Sequence, residues 1–249
     1  MFSQIPPSGP GEVSFRIGPF PVRITPMFWI TGLFLGIYSA PQSLAGMVAW
    51  MAAFLSGILL HELGHAVVMR WFGDRPMIVL LAFGGITYAG DYPRWNTTWT
   101  RSIATHFAGP LAGFLFVALL CGLSVLSGES ILVVGHPVPF VPVPFAGALI
   151  GAPEILVSFL ISLVMICIWW GILNLTPILP LDGGQISLEI FRRFSPATGT
   201  MRAVQVSLIF AVFMVLWFIQ RGGVFGAVIF GMFAFQSFQL LAGMNRRPF

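Results

Sequence analysis

"SGILLHELGHAVVMRW", residues 56–71, sets two histidines and a glutamate inside an apolar run. The run extends back to Leu44 and on to Phe72, and Arg70 is the first basic residue it meets. Such a length reads as a helix crossing a lipid bilayer, which takes about 20 apolar residues. Ionisable groups at that depth are expensive and mark function. The whole chain agrees with the membrane reading. Of its 249 residues, 57% are hydrophobic and 8% are charged, with a mean hydropathy of +0.92. A soluble domain carries roughly 25% charged residues. The net charge of +4 does not point to nucleic acid, because the basic residues fall at the ends of apolar runs and form no stripe.

Six spans are expected, at about Met27–Ala40, Leu44–Phe72, Ile103–Leu126, Ile155–Leu175, Val204–Ile219 and Val224–Leu241. All twelve basic residues are arginines, and with six spans every one but Arg221 falls on a single side. The excess of positive charge on cytoplasmic loops then puts both termini in the cytoplasm. The first residues lack a basic segment followed by an apolar one, so no cleaved signal peptide is expected. Cys121 and Cys167 lie in apolar runs without Cys-x-x-Cys spacing and read as small buried hydrophobes.

The connections carry further signals. "RPMIVLLAFGGITYAGDYP", residues 75–93, is broken by Gly84–Gly85 and rich in β-formers, and reads as a hairpin or re-entrant strand pair. "HPVPFVPVPFAGALIGAPE", residues 136–154, is apolar and proline-rich, and reads as a re-entrant or interfacial cap. "QISLEIFRRF", residues 185–194, places Ile186, Ile190 and Phe194 four apart, as in a surface-lying amphipathic helix whose Arg192 and Arg193 face headgroups. Glycines in "GLFLG" (32–36) and "GVFGAVIFG" (223–231) suit close helix packing. The expected fold is therefore an all-α polytopic membrane protein: six transmembrane helices, a small re-entrant β-hairpin and a proline-broken fourth helix. It is expected to form one membrane-embedded domain over 1–249, with a core at about 24–200 and C-terminal helices at about 201–243.

On a helix, positions i and i+4 share a face, so His61 and His65 can offer two imidazoles to one metal ion. Glu62 beside them completes the H-E-x-x-H pattern of zinc peptidases, with the carboxylate as general base for water attacking a carbonyl. A third ligand is required. Glu154 and His136 belong to the far side, His106 is expected at the interface, with assistance to the site from the inner end of the third span as its alternative, and Asp91 sits in a loop turn. Asp182, in "NLTPILPLDGG" (174–184), is the remaining strong candidate: Pro177 and Pro180 break the helix, and Gly183–Gly184 allow a sharp turn. His61 lies nine residues before Arg70, roughly 13 Å below the inner surface at 1.5 Å per residue.

"HELGH" followed by "NLTPILPLDGG" resembles the site-2 protease (M50) family of intramembrane zinc metalloproteases. "FRIGPFPVRITPMFW" (15–29) is similar to the lead into the first span in the sporulation-factor-like branch. "AFGGITY" (82–88) resembles the glycine hairpin, and "FAGPLAG" (107–113) the third-span motif. The resemblance implies one Zn2+ per chain held by His61, His65 and Asp182, with Glu62 as the base. It implies a zinc metalloendopeptidase that cuts within or near transmembrane helices of membrane-anchored protein substrates, in a prokaryotic cell (inner) membrane, with the active site toward the cytoplasm. Asn174 and Pro177 are placed near substrate, and Gly84 and Gly85 are expected to allow close backbone approach. No PDZ or CBS appendage is expected. A metal transporter, or an inactive binder of membrane proteins, is the alternative use of the same donors. The oligomeric state is not specified by the sequence.

Overall fold

The computed structural model describes residues 9–39, 43–82, 84–90, 98–134 and 141–245. Phe83, Asp91, Arg94, His136, Arg246 and Arg247 lie outside them. Thirteen elements follow along the described chain: β1 (Val13–Ile17), β2 (Phe20–Ile24), α1 (Pro26–Ser39), α2 (Leu44–Trp71), β3 (Met77–Leu81), β4 (Gly84–Tyr88), α3 (Trp99–Leu126), β5 (Leu132–Val134), β6 (Val141–Val143), α4 (Glu154–Asn174), α5 (Asp182–Phe194), α6 (Gly199–Gln220) and α7 (Val224–Asn245). Five helices, α2, α3, α4, α6 and α7, are long and apolar enough to cross a membrane. The helix expected as the first span, α1, has 14 residues. At 1.5 Å per residue it measures about 21 Å, short of the roughly 30 Å hydrocarbon core.

The expectation of one hairpin in an otherwise helical chain is corrected. The expected hairpin is present as β3–β4, but it belongs to a four-stranded sheet ordered β1-β2-β3-β4. The segment before α1 supplies the other two strands. Val13, Phe15 and Ile17 alternate with polar neighbours, Gly18–Pro19 turns the chain, and Phe20, Val22 and Ile24 alternate again. In β2 that period of two buries Phe20, Val22 and Ile24 in the core with the helices, whereas Val13 and Phe15 of β1 stay exposed. β2 then pairs in parallel with β3, which returns after α1 and α2, and the Thr25 N–H and hydroxyl both donate to the Leu80 carbonyl at 3.0 Å. Arg23 donates to Glu12 at 2.6 and 2.9 Å, and this hydrogen bonding holds the Glu12 carboxyl below its usual pKa. In the 127–153 connection, β5 and β6 pair as a short antiparallel ribbon.

The described residues before 91 and Ala108–Gly171 form one compact unit; those from 98 to Phe107 and from Ile172 onward form a second. The core of the first joins the inner sheet face (Val22, Ile24, Ile78, Leu80) to Phe28, Phe54 and Ile58 on α1 and α2. Phe28 and Phe54 stack at 4.9 Å, and the Trp50 indole N–H is satisfied by the Gly32 carbonyl at 2.9 Å. Small residues bring the helices together. A Cβ at Gly32 would strike Phe54, one at Gly36 would strike Trp50, and one at Gly113 would reach the Cys167 carbonyl at 3.0 Å. With no hydrophobic drive between helices in lipid, this close approach supplies the packing.

In the second unit, α4 ends at Asn174 and α5 starts at Asp182. The expected amphipathic helix is present, but it starts three residues earlier, so Asp182 heads a helix instead of sitting on the break. Gly183 and Gly184 let that helix start lie against the preceding loop: Cβ atoms there would stand 2.5 Å from the Thr176 carbonyl oxygen and 2.6 Å from the Leu179 nitrogen. Ile178 is fully buried with Ala211 of α6 and Phe230 of α7. The buried Ser207 hydroxyl accepts from the Leu179 N–H at 2.8 Å and meets Ser237 of α7 at 2.8 Å. Unsatisfied polar groups at membrane depth cost several kcal/mol, so this pair fixes the loop to α6 and α7.

Candidate metal centre

His61, Glu62 and His65 are all buried on α2. One turn separates the two imidazoles, whose Nε2 atoms face each other at 3.2 Å with the rings nearly perpendicular. Two nitrogens bound tetrahedrally to one zinc at about 2.0–2.1 Å are about 3.3 Å apart, so the pair already has the spacing of two ligands. The neighbouring helix leaves room for an ion. A Cβ added at Gly109 of α3 would overlap His65 Nε2 and stand 2.8 Å from His61 Nε2. α3 comes this close because Gly64 of α2 lies under the Ala108 carbonyl, where a Cβ would also meet the Ala112 methyl at 2.8 Å. The donor set and its cradle fit a divalent metal that favours imidazole.

Glu62 is oriented by the sheet. The Thr87 hydroxyl of β4 donates to Glu62 Oε2 at 2.7 Å and reaches the Glu62 carbonyl at 3.2 Å. Two residues earlier, on the same face of β4, Gly85 lies directly over the carboxylate, and a Cβ there would overlap it. Gly84 adopts φ +119° and packs on Trp170 of α4, where a Cβ would stand 2.6 Å from the indole ring. Only glycine adopts that backbone readily. Both glycines of the hairpin are therefore required sterically, one by the base and one by α4. β4 ends the sheet, and no described strand pairs with its outer edge. At its end, burial raises the Tyr88 hydroxyl above its usual pKa, opposed by the Arg23 charge.

The remaining expected residues lie in the second unit. Asn174 is the last residue of α4, Pro177 lies in the following loop, and Asp182 opens α5. Asp182 Oδ1 is 3.2 Å from Nδ1 of His106, on the second turn of α3. His106 thus has a carboxylate partner. The loop from Asn174 to Leu181 engages its N–H groups locally. Leu175 and Thr176 donate back to α4, Ile178 donates to Thr176, Leu179 to Ser207, Leu181 to Ile178, and the prolines have none. The proline breaks remove two donors, and local turns engage the rest.

Thr87 and Gly109 were not singled out from the sequence. Thr87 was traceable in part, because it stands two residues from Gly85 and so shares its strand face. Gly109 lies inside the third-span motif, but nothing in its spacing reveals the imidazoles opposite.

The family model described as Peptidase family M50 matches residues 49–218. A zinc metalloprotease of Methanocaldococcus jannaschii is 25% identical over 201 residues, covering 80% of this chain and 50% of that protein. Stage IV sporulation protein FB of Bacillus subtilis is 27% identical over 186 residues, covering 74% of this chain and 55% of that one. The chain spans about half the length of these curated relatives. The solved site-2 protease from Methanocaldococcus jannaschii shares the fold, with a TM-score of 0.57 and 20% identity over 92% of this chain and 95% of that one. The family match takes in α2 with its histidine pair, the glycine hairpin, α3, α4 and the Asp182 helix, and on it the chain belongs to peptidase family M50.

Proposed function

We propose that the protein is a zinc endopeptidase of the membrane, that His61, His65 and Asp182 hold one zinc ion per chain, and that the two compact units act together as a single catalytic domain. What carries the reading is the buried Glu62 carboxylate, held by Thr87 beside an imidazole pair already spaced for a metal. When bound, zinc supplies Lewis acidity to water and to a peptide carbonyl. Glu62 takes the proton from the attacking water and delivers it to the leaving amide nitrogen. Thr87 keeps Oε2 engaged, so the carboxylate cannot swing away between the two transfers. A transporter or an inactive binder is not favoured, because neither has a use for a base held this way.

The substrate is a transmembrane segment of a membrane-anchored protein, extended at the point of cutting. An intact helix hides its peptide bonds in its own hydrogen bonds, and an unwound one needs replacements in a medium without water. The outer edge of β4 supplies them by strand addition. The following loop has no N–H to contribute, so the sheet edge carries this role and Asn174 adds a side-chain amide near the substrate, with Pro177 shaping the loop. A Gly84→Val, Gly85→Val double variant is expected to lose cleavage of intact spans; full activity would end the strand-addition reading. The arginine partition supports counting α1 as a sixth, short span, with both termini and the site on the cytoplasmic side of a prokaryotic cell membrane.

Cleavage of single-span substrates in proteoliposomes tests the whole. Turnover should vanish on chelation and return with one equivalent of zinc per chain. Turnover unchanged by complete metal removal would overturn the proposal.

A further inference from the structure

We infer that His106 is a positioning residue for Asp182, fixing which way that carboxylate points. The inference rests on the proposed role of Asp182 as a metal ligand. The observation is the 3.2 Å approach of His106 Nδ1 to Asp182 Oδ1, between side chains that are 29% and 12% exposed. A carboxylate at neutral pH accepts and does not donate, so the shared proton sits on Nδ1 of His106. That bond engages Oδ1 and restrains the orientation of the carboxyl group.

The position of Asp182 gives the bond something to oppose. Asp182 is the first residue of α5, and Leu181, the residue before it, provides no side-chain cap. The first four N–H groups of a helix lack intrahelical partners, and short acidic side chains in the first turn readily turn back to accept from them. The helix dipole adds to that pull. An Asp182 bonded to its own helix start would be turned away from a metal. His106, presented from α3, competes with the backbone and holds the carboxylate out.

Groups that orient metal ligands in this way typically change metal affinity by about 10- to 100-fold when removed. They act without touching the ion, so a side chain with the same donor in the same place should replace them. Asparagine places its amide nitrogen where the Nδ1 of histidine lies. Glutamine carries its amide one bond farther out, and leucine has no donor.

The experiment is zinc retention by the purified full chain, titrated with a competing chromogenic chelator. Wild type, His106→Leu, His106→Gln, His106→Asn and Asp182→Ala are compared, with the unfolding midpoint of each metal-free protein as the control for folding. The expected result is that His106→Leu and His106→Gln release zinc at about 10- to 100-fold lower chelator, with midpoints unchanged. His106→Asn should return to within a few-fold of wild type, and Asp182→Ala should release zinc as readily as the leucine variant or more so. If the leucine and glutamine variants retain zinc like wild type while Asp182→Ala does not, the role of His106 is overturned and the ligand reading stands. If the asparagine variant is as weak as the leucine one, His106 acts by ligation or packing and the positioning role is overturned. If Asp182→Ala retains zinc, the ligand reading fails and this inference fails with it.

Discussion

Glu62→Gln is expected to abolish turnover while leaving the zinc content and the fold intact. Glutamine has the shape of glutamate, and its amide oxygen still accepts from the Thr87 hydroxyl that holds Oε2 at 2.7 Å. The α2 packing around His61 and His65 is therefore undisturbed. What disappears is the ability to hold a proton between the attacking water and the leaving nitrogen. General base catalysis is worth about 100- to 10,000-fold, and both transfers pass through this one group, so the loss should fall at the upper end. Single-turnover cleavage of a single-span substrate in detergent or proteoliposomes reads the rate, and metal analysis of the same sample reads the zinc. Equal rates for the two proteins would remove Glu62 from the chemistry and with it the peptidase reading.

Gly109→Ala, a change of one methyl group, is expected to empty the metal site. The new Cβ would overlap His65 Nε2 and lie 2.8 Å from His61 Nε2. Backing α3 away would open the close Gly64–Ala108 contact that packs it on α2. Rotating the imidazoles relieves the overlap without opening that contact. Overpacking of this kind costs about 1–3 kcal/mol, and borne by the ligand geometry it becomes about a 5- to 150-fold loss of zinc affinity. Gly122→Ala on the same helix is the control, since a Cβ there meets nothing within 4 Å. Zinc bound per chain after dialysis at fixed free zinc distinguishes them. Normal binding by the Gly109 variant would show that the space beside the imidazoles is not where the ion sits.

How far the sequence reaches depends on the range of the interaction that decides each feature. The i and i+4 pair of α2 was legible, because helix geometry alone brings His61 and His65 together. The β3–β4 hairpin was legible from Gly84–Gly85 between β-formers. Hidden in plain view was the strand pair before α1. Val13, Phe15, Ile17, then Phe20, Val22 and Ile24 around Gly18–Pro19 carry a period of two that the approach to an apolar helix masked. The parallel pairing of β2 with β3 had no local signal, since more than fifty residues separate Ile24 from Leu80. The same holds for the contacts that tune the site. Thr87 on Glu62, Gly109 on the imidazoles and His106 on Asp182 join residues 25 to 76 apart or on different helices, and each is a consequence of packing.

The solitary border of β4 has a pharmacological corollary. A guest chain that paired there would do so through alternate residues only, because successive amides point to opposite sides. Peptidomimetics carrying N-methyl groups on every second amide would thus divide by phase. Methylation in the outward phase would leave docking intact and protect the compound from onward pairing, whereas shifting the methyls by one residue would remove every N–H it could donate to the border and set methyl groups against it.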